Sequence, residues 1–172
     1  MTSATTLDTP DGPFTIVADD GVVLASGWTA DAASLVALVH PALRPDHVPG
    51  VPDDGTDVAA PVAAVRAYYA GDVTAVAQVP VRQRSGPFRE QAWEALRAVP
   101  AGEPVTYTEY AAQAGRPAAV RAAAGACAHN AAALFVPCHR VLRSDGTLGG
   151  FRYGTAVKES LLTRERAASR AA

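Results

Sequence analysis

The sequence predicts an α/β N-terminal half joined to a mostly helical C-terminal half that carries a helix-turn-helix pair. Three observations predict this. Two apolar runs, 12–21 and 22–28, flank an Asp-Asp-Gly turn near the start. Composition and charge change together at Gln83-Arg-Ser-Gly86. Beyond that point Thr106 and Glu109 form a capping-box pattern, and Gly115-Arg-Pro117 separates the helix it opens from a second one. The 172 residues suit one domain or two small ones, and they can bury a core without disulfide or metal staples. The expected division is 1–84, an α/β supporting domain, and 85–172.

In the first half, strands are expected over 12–21 and 22–28. Thr29 then caps a helix over 30–39, with Asp31 in its first turn. Residues 41–57, rich in proline and glycine (Pro41, Pro45, Pro49, Gly50, Pro52, Gly55), read as an irregular loop. A helix follows over 58–69, ended by Ala70-Gly71, and alternation over 74–81 suggests a strand. In the second half, Phe88, Ala92, Leu96 and Val99 share one face of a helix over 88–99, beside Trp93. Helices over 106–114 and 117–128 form the pair, and a last amphipathic helix runs over 157–166.

Charge is unevenly placed. Residues 1–81 hold two basic and ten acidic side chains, a balance of −8; residues 82–172 hold thirteen basic and seven acidic, a balance of +6. A basic, arginine-rich half points to a polyanion partner. The compositional bias of a GC-rich genome explains the same pattern. Two cysteines exclude a disulfide scaffold and a four-cysteine zinc site, and His40, His47 and His129 make no zinc set with them. No apolar run approaches the roughly 20 residues of a membrane helix. The start of the chain, 1–12, is polar and acidic, unlike a secretory signal. A cytoplasmic monomer is the default expectation.

Two segments carry chemistry. Along 118–128 only Val120, Arg121 and Cys127 extend beyond Cβ. So smooth a helix can approach a flat or grooved partner closely, and it would suit the narrow minor groove of DNA. Tight helix packing inside the protein would also use alanines. In Pro137-Cys138-His139-Arg140-Val141, a cysteine stands between a stiffening proline and a potential base. A buried, inert Cys138 beside an exposed His139 is the plain alternative.

Pro137-Cys138-His139-Arg140-Val141 resembles the signature of the methylated-DNA–protein-cysteine methyltransferases, the O6-alkylguanine-DNA alkyltransferase family. The likeness extends from Phe88 through Trp93, Gly102-Glu103 and Val105-Thr-Tyr107 to Ala119-Val-Arg121 and Asn130. It continues in Ser144-Asp-Gly146, Gly150-Phe-Arg-Tyr-Gly154 and 158–165, and so covers about residues 86–166. It implies a ribonuclease-H-like first domain and a winged-helix-like second one. It implies irreversible transfer of the alkyl group of O6-alkylguanine, and of O4-alkylthymine, from double-stranded DNA to Cys138. The damaged DNA supplies the alkyl group, so no cofactor is expected. His139 would act as base toward Cys138 through a water, with Glu165, at the end of the last helix, orienting it.

The resemblance also implies that Asn130 ties the segment before Cys138 to the active-site turn; an ordinary helix cap would use Asn too. Arg121 would enter the base stack as the damaged guanine swings out. Tyr107 would press on the flanking phosphate and donate to guanine N3, though a half-buried tyrosine at a helix start needs no such role. Ala119, Ala122, Ala123, Gly125 and Arg140 complete the expected DNA-binding set. The carbonyls of Cys138 and Val141, the Arg152 backbone N–H and the Phe151 ring would form the base pocket. Phe151 stands where many relatives have tyrosine, and Ala131-Ala-Ala133 lacks the prolines of some. The chain shows no N-terminal cysteine cluster, so a metal-bound second acceptor domain is not expected.

Two other functions fit parts of the pattern. A non-catalytic lesion sensor would keep the helix pair and the arginine but replace the cysteine. A cysteine hydrolase would bring its histidine from far along the chain.

Overall fold

Thr2–Thr9 (β1), Gly12–Asp19 (β2) and Val22–Gly27 (β3) form an antiparallel meander in that order. This is a computed structural model, and it describes residues 1–50 and 55–172. The β2–β3 hairpin turns on Asp20 and Gly21, both with positive φ (51° and 78°), the geometry an Asp-Gly pair accommodates best. β2 is central and buried from Phe14 to Ala18. β1 was absent from the sequence reading. It is an edge strand, half-exposed and threonine-rich, so its β-branched residues favour extension without an apolar face to announce it.

Ala32–Val36 (α1) is shorter than expected, and its N-cap is Asp31 rather than Thr29. The Asp31 carboxylate accepts from the N–H groups of Ala33 and Ser34. Thr56–Tyr69 (α2) buries Val58, Ala64, Val65 and Tyr68 against the sheet. Pro61 lies inside α2 and cannot donate to the Asp57 carbonyl, which instead accepts from the Gly21 N–H at 3.0 Å. The Asp57 carboxylate accepts from Ser3 Oγ and from the Asp20 N–H, so one residue ties helix, edge strand and hairpin turn together. Pro52 of the expected loop lies outside the described residues.

The expected strand over 74–81 is not formed. Asp72 caps Thr74, Ala75–Gln78 closes a 3₁₀ turn, and only Val81 bridges to Val23. Ala131–Phe135, placed by the sequence reading in the second domain, belongs to the first unit with Met1–Arg84. Ser26 holds it: the Ser26 N–H donates to the Ala131 carbonyl, and Ser26 Oγ to that of Ala133.

The second unit is Ser85–Asn130 with Val136–Ala172. Pro87–Arg97 (α3) begins with proline in its first turn and buries Ala92, Trp93 and Leu96. Trp93 Nε1 donates to the Ala126 carbonyl at 2.9 Å, and Tyr110 Oη to that of Ala92 at 2.8 Å. These bonds lock α3 to the helix pair Tyr107–Gln113 (α4) and Val120–Ala128 (α5). The Thr106/Glu109 capping box opens α4. α4 closes with the Arg116 N–H on the Ala111 carbonyl and Gly115 at φ +91°, a Schellman ending. α5 therefore starts at Val120 instead of Pro117. Val105–Thr106 (β4) pairs in parallel with Val141–Leu142 (β5). The last helix, Thr155–Ala171 (α6), is longer than expected at both ends, so Glu165 lies in its interior rather than at its end.

Candidate active site

The site is built on a sharp turn. Pro137 adopts φ −84° and ψ 65°, the inverse γ-turn that a ring-fixed φ favours, and the Cys138 N–H donates to the Val136 carbonyl at 2.9 Å. Cys138–Arg140 continues as one 3₁₀ turn. Asn130 Nδ2 donates to the same Val136 carbonyl at 2.8 Å. Asn130 follows the C-cap residue His129 and does not take the left-handed conformation of an Asn cap. Its side chain spans to the cysteine turn.

Cys138 is partly exposed and not disulfide-bonded. Burial pushes its thiol up, while the Asn130 side chain, Lys158, the backbone and Arg152 pull the other way; the net direction is up. The resting group is therefore the thiol. Behind it, His139 is buried, and Nε2 lies 2.7 Å from Glu165 Oε1. A carboxylate can only accept, so Nε2 carries the proton and Nδ1 keeps its lone pair. Nδ1 has no hydrogen-bond partner among the described residues. Burial lowers the His139 value and outweighs the pull of Glu165, so the ring is neutral at pH 7.

Glu165 itself is fully buried, which alone would raise its carboxyl, but contact with His139 and Arg140 brings it down to about 2. Arg140 grips it with two nitrogens: Nε to Oε2 at 3.0 Å and Nη2 to Oε1 at 2.9 Å. Its Nη1 donates to the Val99 carbonyl. Arg140 was expected on the DNA-binding surface. With 6% exposure and its guanidinium committed to Glu165 and Val99, it is instead part of the buried charge chain behind His139.

Tyr107 opens α4, half-buried. Burial, with Cys127 and Cys138 nearby, pushes its hydroxyl up to about 12, so it stays protonated and can donate. Its ring lies against Gly149, where an added Cβ would come to 3.8 Å from Cε2. On α5, Arg121 and Ala122 are exposed and Gly125 is half-exposed; Ala119, the N-cap, is half-exposed one turn before the buried Ala123. Ala123 corrects the expected contact set: with Ala126 it is fully buried on the inward face. Tight packing inside the protein, one of the two uses of small residues that the sequence allows, therefore occurs on the inward face of this helix. Val141 is buried, and Phe151 packs edge-to-face on Tyr153 at 5.7 Å. The Arg152 guanidinium donates to the Ala128 carbonyl at the end of α5, 2.6 Å away.

Lys158 went unassigned in the sequence reading. It is fully buried, and Nζ donates to the Val141 carbonyl at 2.7 Å. The available signal was its spacing: Lys158, Leu161, Leu162 and Glu165 fall at i, i+3, i+4 and i+7, the inward stripe of α6. Among the described residues no group of three or more His, Cys, Asp or Glu could hold a metal, and no helix is long and apolar enough to cross a membrane.

A small-residue helix behind a helix turn, and a cysteine backed by a histidine and a buried carboxylate, define the class: a helix-turn-helix protein with a cysteine–histidine–carboxylate cluster. The family model "6-O-methylguanine DNA methyltransferase, DNA binding domain" matches residues 87–167. The methylated-DNA–protein-cysteine methyltransferase of Mycobacterium tuberculosis H37Rv is 35% identical over 161 residues, 94% of this chain and 90% of that one. The chain belongs to this family. The bifunctional transcriptional activator/DNA repair enzyme Ada of Escherichia coli K12 is 51% identical over 87 residues, and the match spans only a quarter of that protein. The crystal structure of Mycobacterium tuberculosis OGT in complex with DNA superposes with a TM-score of 0.77 at 31% identity, covering 96% of this chain and 94% of that one.

Proposed function

We propose that the protein repairs DNA by direct reversal, moving the alkyl group of O6-alkylguanine, and of O4-alkylthymine, irreversibly onto Cys138. The observation that carries this is the chain Arg140–Glu165–His139 behind a cysteine on a proline-set turn. It leaves one histidine nitrogen with a free lone pair and keeps the ring neutral, as a base toward a thiol must be. The thiol proton passes to His139 Nδ1 through a water. The sulfur attacks the alkyl carbon in line, and the carbon–O6 bond breaks with its electron pair going to guanine. Tyr107 donates to N3, and the departing base regains a proton equal to the one Cys138 released. The thioether is stable, so each chain reacts once.

The substrate is double-stranded DNA bound in the minor groove by the exposed face of α5. Arg121 enters the stack, and the Cys138 and Val141 carbonyls, the Arg152 N–H and Phe151 meet the flipped base. Family membership and a relative crystallised with DNA support the reading, and the presence of Cys138 disfavours a lesion sensor. We read the meander followed by α2 as ribonuclease-H-like and the α4–α5 pair with its β4–β5 ladder as winged-helix-like. The protein is taken to act as a cytoplasmic monomer. Mass spectrometry after incubation with O6-methylguanine duplex is expected to show one methyl group on the peptide carrying Cys138; methyl on Cys127 instead rejects the assignment.

A further inference from the structure

Arg143 follows β5 directly and opens a tight turn: its carbonyl accepts from the Gly146 N–H at 2.8 Å, and its N–H donates to the Thr147 carbonyl at 3.0 Å. The turn is tied to the first turn of α4, where Thr108 Oγ1 and Ser144 Oγ share a hydrogen bond of 3.1 Å. The Arg143 backbone is thereby fixed close to the start of α4, which Tyr107 opens. The side chain then runs over Gly149. A Cβ added there would lie 3.3 Å from Arg143 Cγ, 3.7 Å from Arg143 Nε and 3.8 Å from Tyr107 Cε2. Gly149, at φ +73°, therefore leaves the space on which the arginine stem and the tyrosine ring converge.

Arg143 is exposed, and among the described residues no carboxylate pairs with its guanidinium and no side-chain hydrogen bond holds it. Asp145, two residues on, feels its charge, but Asp145 Oδ1 accepts from the Thr147 N–H at 3.0 Å and from Thr147 Oγ1 at 2.7 Å. The charge also reaches the Tyr107 hydroxyl and the Lys158 amine. Other arginines near the site are committed: Arg140 to Glu165 and Arg152 to the Ala128 carbonyl. An exposed guanidinium without a counterion offers a planar fork of donors that matches a pair of phosphate oxygens. We propose that Arg143 is a further DNA-binding residue of the transfer reaction: beside Tyr107, its guanidinium takes a phosphate flanking the flipped nucleotide and stabilises the extruded state. This rests on the reading of Cys138 as acceptor of an alkyl group from DNA. A base that leaves the stack rotates about its backbone and carries the flanking phosphate with it, so a cation placed for the rotated position favours extrusion over simple binding. Arg121 and Arg143 thus act on different parts of the substrate: one fills the opened stack, and the other holds the backbone of the nucleotide that left it.

The test replaces single phosphates of an O6-methylguanine duplex by neutral methylphosphonates, at each of the two positions 5′ and the two positions 3′ of the lesion. With the unsubstituted protein, one of these is expected to slow methyl transfer to Cys138 by about tenfold, the loss of one charged contact. Arg143→Gln is expected to slow transfer from the all-phosphate duplex by a similar factor and to be slowed no further by that methylphosphonate, whereas Arg121→Ala stays sensitive to it. Arg143→Lys is expected to keep most of the rate. Reaction of Arg143→Gln with free O6-benzylguanine, which carries no phosphate, is expected to be slowed far less than reaction with duplex, and carbamidomethylation of Cys138 by iodoacetamide reports that the cysteine turn is intact. Methylphosphonates without effect at all four positions overturn the proposal, and that measurement needs no variant. So does an Arg143→Gln protein that keeps the full transfer rate, stays as sensitive to the methylphosphonate as the unsubstituted protein, or loses as much on the free base. Methyl transfer that is indifferent to Arg143 removes this inference alone, whereas unsubstituted protein that transfers no methyl group removes the alkyltransferase reading and this inference with it.

Discussion

Glu165 accepts from His139 Nε2 at 2.7 Å, and this contact decides which ring nitrogen is left for chemistry. With Nε2 protonated toward the carboxylate, Nδ1 is the only lone pair the ring can offer. Glu165→Gln presents an amide that can donate as well as accept, so the tautomer is no longer fixed, and the Arg140 charge loses its counterion. Methyl transfer to Cys138 in this variant is expected to fall by at least about tenfold. Stability to urea is expected to drop by about 3–5 kcal/mol, as when one partner of a buried pair is removed. Unchanged transfer in a folded Glu165→Gln variant would show that His139 is not the base.

The same cluster sets an acid limit on the fold. The Glu165 carboxyl is held at about 2, against an ordinary value near 4.5, so its contribution is complete above about pH 4.5 and is lost as pH falls toward 2. Over that window the loss is roughly 3 kcal/mol. His139 acts earlier in the same direction. It is held neutral below its ordinary 6.5, so the unfolded chain takes up its proton first and stability declines from about pH 6.5 downward. Urea unfolding between pH 7.5 and 3 is expected to show both phases. His139→Gln is expected to lose the upper one; a variant that keeps it assigns that phase elsewhere.

Arg140 separates two kinds of basic residue. Its guanidinium is buried on Glu165 and Val99, so Arg140→Lys is expected to weaken the fold while leaving the salt dependence of DNA binding unchanged. A shallower salt slope, measured by fluorescence anisotropy, would return Arg140 to the DNA-contacting surface.

That misplacement shows what local sequence can convey. The capping box, the Asp-Gly hairpin and the Gly115 helix ending are contained within a few residues, and each was legible. The partners of Arg140 are 25 and 41 residues away, and no local pattern distinguishes a buried guanidinium from a phosphate-binding one. Ala123 failed for a related reason: in a helix made almost wholly of alanine, the inward and outward faces carry the same side chains. β1 was missed because an edge strand of threonines lacks apolar alternation. The strand expected over 74–81 was lost to Asp72, whose cap on Thr74 started a 3₁₀ turn instead. Cys138, His139 and Glu165 came from family likeness. The distance between His139 and Glu165, and the neutral state of the ring, required the fold.

Tyr107 is half-buried and its hydroxyl stays protonated to about pH 12, which suits a donor to a leaving base. Tyr107→Phe removes the donor and keeps the ring against Gly149. Methyl transfer from duplex is expected to slow by about ten- to a hundredfold, within the range of a lost general acid. Carbamidomethylation of Cys138, which has no guanine to protonate, is expected to be unchanged. Equal slowing of both reactions would make Tyr107 a packing residue of the cysteine turn.

Arg121 is the long polar side chain on an otherwise smooth helix face, exposed at the start of α5. If it fills the stack when guanine leaves, its removal penalises extrusion and nothing else. Arg121→Ala is therefore expected to slow transfer from duplex O6-methylguanine by at least about tenfold while slowing reaction with free O6-benzylguanine far less, because a free base has no stack to leave. The loss is also expected to shrink when the lesion sits opposite a mismatch, where unstacking is already partly made. Its contribution to salt-dependent affinity is expected to be about one phosphate contact or fewer, since a side chain inside the stack is not on the backbone. A loss confined to affinity at high salt would make Arg121 a phosphate contact, and equal loss on duplex and free base, which carries no phosphate, would make it a structural residue of the site; either outcome leaves the opened stack to another residue.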